Sequence, residues 1–421
     1  MRSALFTPAC AGTGRRAPLR WSSVRGRFLL VLTSLACAAC GPSLATRTTL
    51  PAGRQRSSVA PVLVWARETW SPQPLNGTSA PGLEAIYAAC GEADQALARV
   101  AARVLELDRA GVKLDDASLK LALRAEGAPY LWPRRWQTEL PNPRAAESVQ
   151  AWQARHSKAG RARCGVALSE GGSGPARVSV VAVDSKVDLE RFPVRARVGQ
   201  WLTFAARVKE AGEPALFLQG PRGRPRQALV ALNGENLKAR FALSEPGLWT
   251  VQLIAKGPEG PLPLAEALIF ADVEPSQDLH WPRAPGEAED NEALPDSQRL
   301  LSMLNSARAS EKLLPLEQRV DLSAIAQAHA EAMRDAETLA HDLGQGGAGA
   351  RILAAGNSEQ FSLIGENVAS ALSTARAHRL LWSSPAHRFT LLRPDFDSVG
   401  IGIARGADGR LWVCQLFART K

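Results

Sequence analysis

The chain has 421 residues, 45% of them hydrophobic, and carries a formal net charge of +10 from 51 basic and 41 acidic side chains. That length allows two to four domains. Six arginines (Arg2, Arg15, Arg16, Arg20, Arg25 and Arg27) precede Cys40 with no acid among them, leaving +4 from Cys40 onward. No basic run interleaved with aromatics follows, so nucleic acid is excluded as a partner.

The first 39 residues have the pattern of an export signal. Arg25 and Arg27 lead into the apolar run Phe28-Leu29-Leu30-Val31-Leu32, and small residues close it at Ala38-Ala39-Cys40-Gly41. That ending predicts a lipoprotein signal over residues 1–39, with Cys40 lipidated at the head of the mature chain. A plain secretory signal cut elsewhere is the alternative. Either way the protein is expected outside the cytoplasm, lipid-anchored in the cell envelope or secreted. Residues 40–81 are rich in Pro, Ser, Thr, Gly and Arg with little periodicity, and predict a flexible tether. Three thiols then remain, Cys90, Cys164 and Cys414. The 74-residue separation of the first two permits a bridge without requiring one, and Cys414, in an apolar strand, reads as a buried thiol.

Residues 82–185 predict an α+β domain. Leu97, Val100, Ala101, Val104 and Leu105 recur at helical spacing over 93–110, and Gly111 ends the helix. Shorter helices are expected at 117–125 and 145–155, then a hairpin from Cys164-Gly165-Val166-Ala167-Leu168 to Val178–Val183. Residues 186–275 change period. Runs such as Trp201–Ala206, Ala228–Leu232, Lys238–Leu243 and Trp249–Ile254, broken by turns at Gly220-Pro221 and Asn233-Gly234, predict an immunoglobulin-like β-sandwich. The Pro-rich, acidic residues 276–295 read as a linker.

The last domain, 296–421, opens with a helix carrying Leu300, Leu301 and Leu304. A second helix over 321–336 has Leu322, Ile325, Ala326, His329 and Met333 along one stripe, which makes His329 a core histidine. A third covers 373–382 and stops before Pro385; His378 on it reads as a surface residue, and Trp382 as the side chain packing it onto a sheet. Val399-Gly400-Ile401-Gly402-Ile403 and Leu411–Phe417 flank Gly406-Ala407-Asp408-Gly409 as a hairpin.

These pieces surround Ile364-Gly365-Glu366-Asn367-Val368-Ala369, with His341-Asp342 upstream and Trp382-Ser383-Ser384-Pro385-Ala386-His387 downstream. In that order they resemble the CAP superfamily, the SCP-like domain of cysteine-rich secretory and pathogenesis-related proteins, in its bacterial form. The resemblance implies a C-terminal α-β-α sandwich in a multidomain α+β chain. It implies a cleft shared by His341, Glu366 and His387, and it puts Asn305 and Arg308 where such domains often have Asn and Arg. Family members often add a second acid before the last histidine. Here Ser383-Ser384-Pro385-Ala386 supplies none, and Asp342 could replace it only by turning inward.

Two imidazoles and a carboxylate could hold Zn²⁺ with one position open to water, or form a metal-free polar cleft. No Ser or Cys nucleophile motif and no phosphate loop accompany them. The reading is therefore a binding module for an unknown lipid, cell-wall or protein ligand. The alternative is a metal-assisted hydrolase of peptide or phosphodiester bonds using His341, Glu366 and His387, with Glu366 catalytic. The order of elements in 82–185 also parallels the last domain. Leu97–Ala101 matches Leu322–Ala326, Trp152 with His156 matches Trp382 with His387, and Cys164-Gly165 matches Val399-Gly400. Trp132-Pro133-Arg134 stands where the later domain has Gly365-Glu366-Asn367. A degenerate CAP-like copy lacking the pocket and a generic α+β domain both fit.

Overall fold

The computed structural model describes residues 68–70, 83–112, 114, 116–156, 160–169, 175–209, 212–257, 260–278 and 281–421. The expected leader, the expected lipidation site Cys40 and most of the expected tether lie outside the described residues. One part of that tether is pinned. Thr69–Trp70 (β1) pairs antiparallel with Phe192–Pro193, and the fully buried Trp70 donates from Nε1 to Leu268 O at 2.9 Å. A buried indole with its N–H satisfied is an anchor, so the chain is docked at Trp70, well before residue 81.

The first part of the chain, expected as a domain, runs α1 (Glu84–Cys90), β2 (Glu92–Ala93), α2 (Gln95–Arg109), α3 (Asp116–Ala125), β3 (Arg134–Glu139), α4 (Ala145–His156), β4 (Arg161–Ser169) and β5 (Arg177–Ser185), and shares a core through α2 and α3 with the strands that follow. The Asp94 carboxylate caps α2 by accepting from the amides of Ala96 and Leu97. Leu97, Val100, Ala101 and Val104 then form its buried stripe. The sheet order is β2-β4-β5-β3, with β2 parallel to β4 and the other pairs antiparallel. Gly165 lets α2 lie directly on β4, because a Cβ there would collide with the backbone of Leu97 and Ala98. Cys90 and Cys164 form a disulfide that ties α1 to β4.

The middle of the chain is β6 (Val187–Leu189), β7 (Phe192–Pro193), β8 (Arg195–Ala196), β9 (Trp201–Val208), β10 (Gly212–Gln219), β11 (Arg226–Ala228), β12 (Val230–Asn233), β13 (Asn236–Ala242), β14 (Gly247–Gly257) and β15 (Gly260–Ala271). Two sheets, ordered β11-β10-β14-β15-β8 and β12-β13-β9-β6, share one core. Leu216, Leu218, Val251 and Leu253 meet Leu202, Phe204, Leu237 and Phe241 there. Side chains alternate along a strand, so Phe217, Gln219, Gln252 and Glu266 point out of the five-stranded sheet. Gln219, Gln252 and Glu266 are nonetheless buried, because other parts of the chain cover that outer face.

The last domain runs α5 (Asp296–Ser310), β16 (Glu317–Gln318), α6 (Val320–Asp335), α7 (Ala348–Ala354), β17 (Phe361–Ala371), α8 (Thr374–Ser383), α9 (Pro385–Leu391), β18 (Ser398–Arg405) and β19 (Leu411–Thr420). Its sheet order is β16-β18-β19-β17, with β16 parallel to β18 and the other pairs antiparallel. One face packs Val368, Cys414 and Leu416 against Ala326, Ala330 and Met333 of α6. The other packs Ala369, Val413 and Phe417 against Leu381, Trp382 and Leu391 of α8 and α9. Gly400 and Gly402 sit so close under α6 that a Cβ on either would strike the backbone of Leu322 or Ala326.

Asn305 and Arg308 hold the start of this domain together. The Asn305 amide pairs with both the N–H and the C=O of Leu316. The buried Arg308 donates to the carbonyls of Leu314, Leu391 and Arg393, and burial lowers its pKa to about 10. The segment before α5 is packed as well. His378 is fully buried, with its Nε2 2.8 Å from Pro285 O, and Arg379 pairs with Glu287. The surface placement expected for His378 is therefore corrected, because residues 284–290 cover the face of α8 that carries it.

Candidate functional site

Three segments meet at β17, the edge strand of the last sheet. Glu366 lies mid-strand and points to the α6 side. His341, in the loop after α6, places Nδ1 2.8 Å from Glu366 Oε1. Arg351, from the short helix α7, places Nη2 on Glu366 Oε2. Both ion-pair side chains are nearly dry, 8% exposed for Arg351 and 5% for Glu366, while His341 keeps 20%. Glu366 is therefore doubly engaged. Cys414, fully buried one strand over, places Sγ 3.5 Å from Glu366 Oε2, and burial next to that carboxylate pushes its thiol pKa well up. It is an inert thiol.

The Glu366 carboxylate accepts from His341 Nδ1–H, which orients the ring and turns Nε2 away from Glu366. His387 arrives from the other side of the edge strand. Pro385 starts α9 at its first turn, where a missing N–H costs nothing, and the break from α8 turns the helix so that His387 reaches the edge. Its backbone carbonyl accepts from Asn367 Nδ2 at 3.2 Å. Its ring makes no hydrogen bond among the described residues. Burial lowers the His387 pKa to about 3, with repulsion from His341 and Lys120 adding to the fall and Glu266 opposing it. His387 is neutral at physiological pH.

The expected trio is thus brought to one edge strand, but only His341 and Glu366 are joined. Asp342 does not replace the missing acid; its Oδ1 accepts from the amides of Gly344 and Gly346 in its own loop. His329 is a buried core histidine, its Nε2 2.9 Å from Ala340 O. His156 is exposed at the end of α4, with Nδ1 3.0 Å from Trp152 O.

The donor set does not fit a zinc ion. Glu366 already turns one oxygen to His341 and the other to Arg351, whose cation would compete with a metal for the carboxylate, where catalytic zinc takes three protein ligands. Among the described residues no three His, Cys, Asp or Glu side chains come close enough to hold a metal. Glu366 orients His341.

Five further residues belong to this neighbourhood. Arg351 is the lone cation of the apolar Ala348–Ala354 segment, which is the signal that could have found it. Lys120 and Arg124 stand four apart in Leu119-Lys120-Leu121-Ala122-Leu123-Arg124, and Glu266 interrupts Leu264-Ala265-Glu266-Ala267-Leu268. Charges inside apolar runs call for partners, and here they find one another: Lys120 Nζ is 3.3 Å and Arg124 Nη2 3.2 Å from Glu266 Oε1. Gln252 joins the group to α9, donating to Glu266 Oε2 at 2.9 Å while its Oε1 accepts from Ala386 N at 3.2 Å.

Residues 301–416 match the family model CAP, the cysteine-rich secretory protein family. A search of curated proteins finds no match. Among solved structures, the chain is similar to an outer surface protein of Borrelia burgdorferi, at 25% identity and TM-score 0.28, over 30% of this chain and 93% of that one. It is also similar to an extracellular protein containing a SCP domain from Bacillus anthracis, at 19% identity and TM-score 0.27, over 56% and 83%. A cysteine-rich secretory protein of Staphylococcus aureus matches at 12% identity and TM-score 0.25, over 64% and 89%. The C-terminal part of the chain, carrying Glu366 between His341 and His387, is a CAP domain.

Proposed function

We propose that this protein is an extracytoplasmic binding module of the cell envelope, anchored through a lipid on Cys40, that takes a ligand at His341 and His387. The observation that carries this reading is the engagement of Glu366 by both His341 and Arg351. That arrangement presents one oriented imidazole and, across the edge strand, a second imidazole with no hydrogen bond among the described residues. It leaves no free carboxylate to act as a base. The export pattern of residues 1–39, ending at Ala38-Ala39-Cys40, supports the location. The experiment is native mass spectrometry of protein purified from its own envelope. A ligand retained by the wild type and lost in His387→Asn supports the reading. Turnover of peptides or phosphodiesters that His341→Ala abolishes would overturn it.

The same pair favours one second reading. A carboxylate on Nδ1 is also how a general base is held, so His341 Nε2 could activate water without a metal. The hydrolysis assay above decides between the two.

The first domain is read as a CAP-like copy without the pocket, ahead of an immunoglobulin-like spacer. Its support is the shared sheet order and register. Gly165 faces Val181, which faces Arg135; Gly400 faces Leu416, which faces Glu366. The counterpart of Glu366 is thus the exposed Arg135, one residue beyond the Trp132-Pro133-Arg134 stretch expected from sequence. Reversing that charge removes the partner of a His341-like ring.

A further inference from the structure

The surroundings of His387 do not come from the CAP domain alone. Helix α9 lies against the outer face of the five-stranded sheet. Phe389 packs edge-on to Phe217 at 5.1 Å under the guanidinium of Arg224, and Gln219 Nε2 donates to Trp382 O at 3.4 Å. The hydrogen-bonded chain from Ala386 N through Gln252 and Glu266 to Lys120 then joins the residue preceding His387 to α3 of the first domain. We propose that Lys120 and Glu266 complete the cleft around His387, and that the completed cleft takes a single oxyanion group, a phosphate or phosphate ester. This rests on the ligand-binding reading above and names its ligand class.

The charges around the edge strand do not balance. Among the described residues, Lys120, Arg124 and Arg351 supply three cations against Glu266 and Glu366, one in excess. Arg124 is largely committed, since four of its five N–H groups go to Glu266, Ala128 O and Tyr130 O. Lys120 differs. Its ammonium has three donors, Glu266 is its partner among the described residues, and its side chain keeps 26% exposure. A cation that shares its one carboxylate with a second cation favours a further anion. The His387 ring, neutral and without a hydrogen bond among the described residues, is suited to a second oxygen. Burial lowers the Lys120 pKa, and attraction to Glu266 opposes the fall.

The test is calorimetric titration of the full chain with inorganic phosphate, with dodecyl phosphate and with octyl glucoside as the neutral amphiphile. Wild type should bind phosphate or its dodecyl ester. Lys120→Met should weaken that binding about tenfold or more, the usual worth of a charge-assisted hydrogen bond. Lys120→Arg should retain it. Tight binding of dodecyl phosphate alone assigns a lipid headgroup; equal binding of the two assigns free phosphate. If Lys120→Met does not fold, ring ¹⁵N spectra of wild type carry the test: phosphate should move the His387 signals and leave those of the exposed His156 in place. Equal phosphate affinity in Lys120→Met, or no response at His387, overturns the proposal. Binding of octyl glucoside without phosphate would overturn it too, while leaving the ligand-binding reading standing.

Discussion

Replacing Glu366 with glutamine removes the ion-pair partner that a buried guanidinium has among the described residues. Arg351 Nε and Nη1 have no hydrogen-bond partner there, so Nη2 on Glu366 is what holds the charge in place. At an effective dielectric near 20, two unit charges about 4 Å apart attract by about 4 kcal/mol. Breaking a buried pair by deleting one member typically costs about 3–5 kcal/mol. Glutamine keeps one oxygen to accept from His341 or Arg351 but turns an N–H₂ toward the other, so a loss of about 3 kcal/mol is expected. Urea unfolding followed by tryptophan fluorescence measures it, since Trp382 and Trp412 both lie in this domain. The double variant Glu366→Gln/Arg351→Met should recover most of the loss, because it leaves no stranded charge. A Glu366→Gln loss below about 1 kcal/mol, or a double variant no better than the single, would refute the reasoning.

Gly402→Ala should cost more than the 1–3 kcal/mol or so of ordinary overpacking, because its Cβ meets the backbone of α6 rather than a side chain that can move; thermal melting will show it. Gly165→Ala should behave the same way against α2. Removing the Cys90–Cys164 bridge as a double Ala variant releases a loop spanning a sequence separation of 74 and should cost about 4 kcal/mol, read from the urea midpoint in non-reducing buffer. The His387 pKa is about 3 in the folded protein against about 6.5 unfolded, so the unfolded chain binds the proton first. Stability from this group is then complete above about pH 6.5 and falls as pH drops toward 3, by up to about 1.4 kcal/mol per pH unit. His387→Asn should flatten that limb of the pH–stability curve.

Much of the last domain is legible in the sequence because its chemistry is local. The stripe Leu322, Ala326, His329 and Met333 fixes the buried face of α6, and Gly406–Gly409 marks the hairpin turn. The Gly365-Glu366-Asn367 signature places a carboxylate on a strand between two histidines. What the carboxylate does there is hidden, since its partner Arg351 comes from a seven-residue helix too short for its periodicity to show. His378 departs from expectation for a related reason. A helix shows which residues share a face, but not that residues 284–290 return to cover it. Trp70 sits unmarked in a polar stretch, because one indole docked through one two-residue strand leaves no period to read. The covered face of the sandwich shows in the sequence only as an oddity, Glu266 within an apolar strand. Its partners are 146 and 142 residues away in sequence, and only the packed domains bring them together.

The most direct test of the central claim is the occupancy of the cleft in protein taken from its own envelope. Native mass spectrometry and metal analysis would be run together on wild type, His341→Ala and His387→Asn. The account predicts a retained small molecule in wild type, its loss in both variants and no stoichiometric zinc. One zinc per chain, lost in the same variants and accompanied by turnover of peptide or phosphodiester substrates, would contradict it.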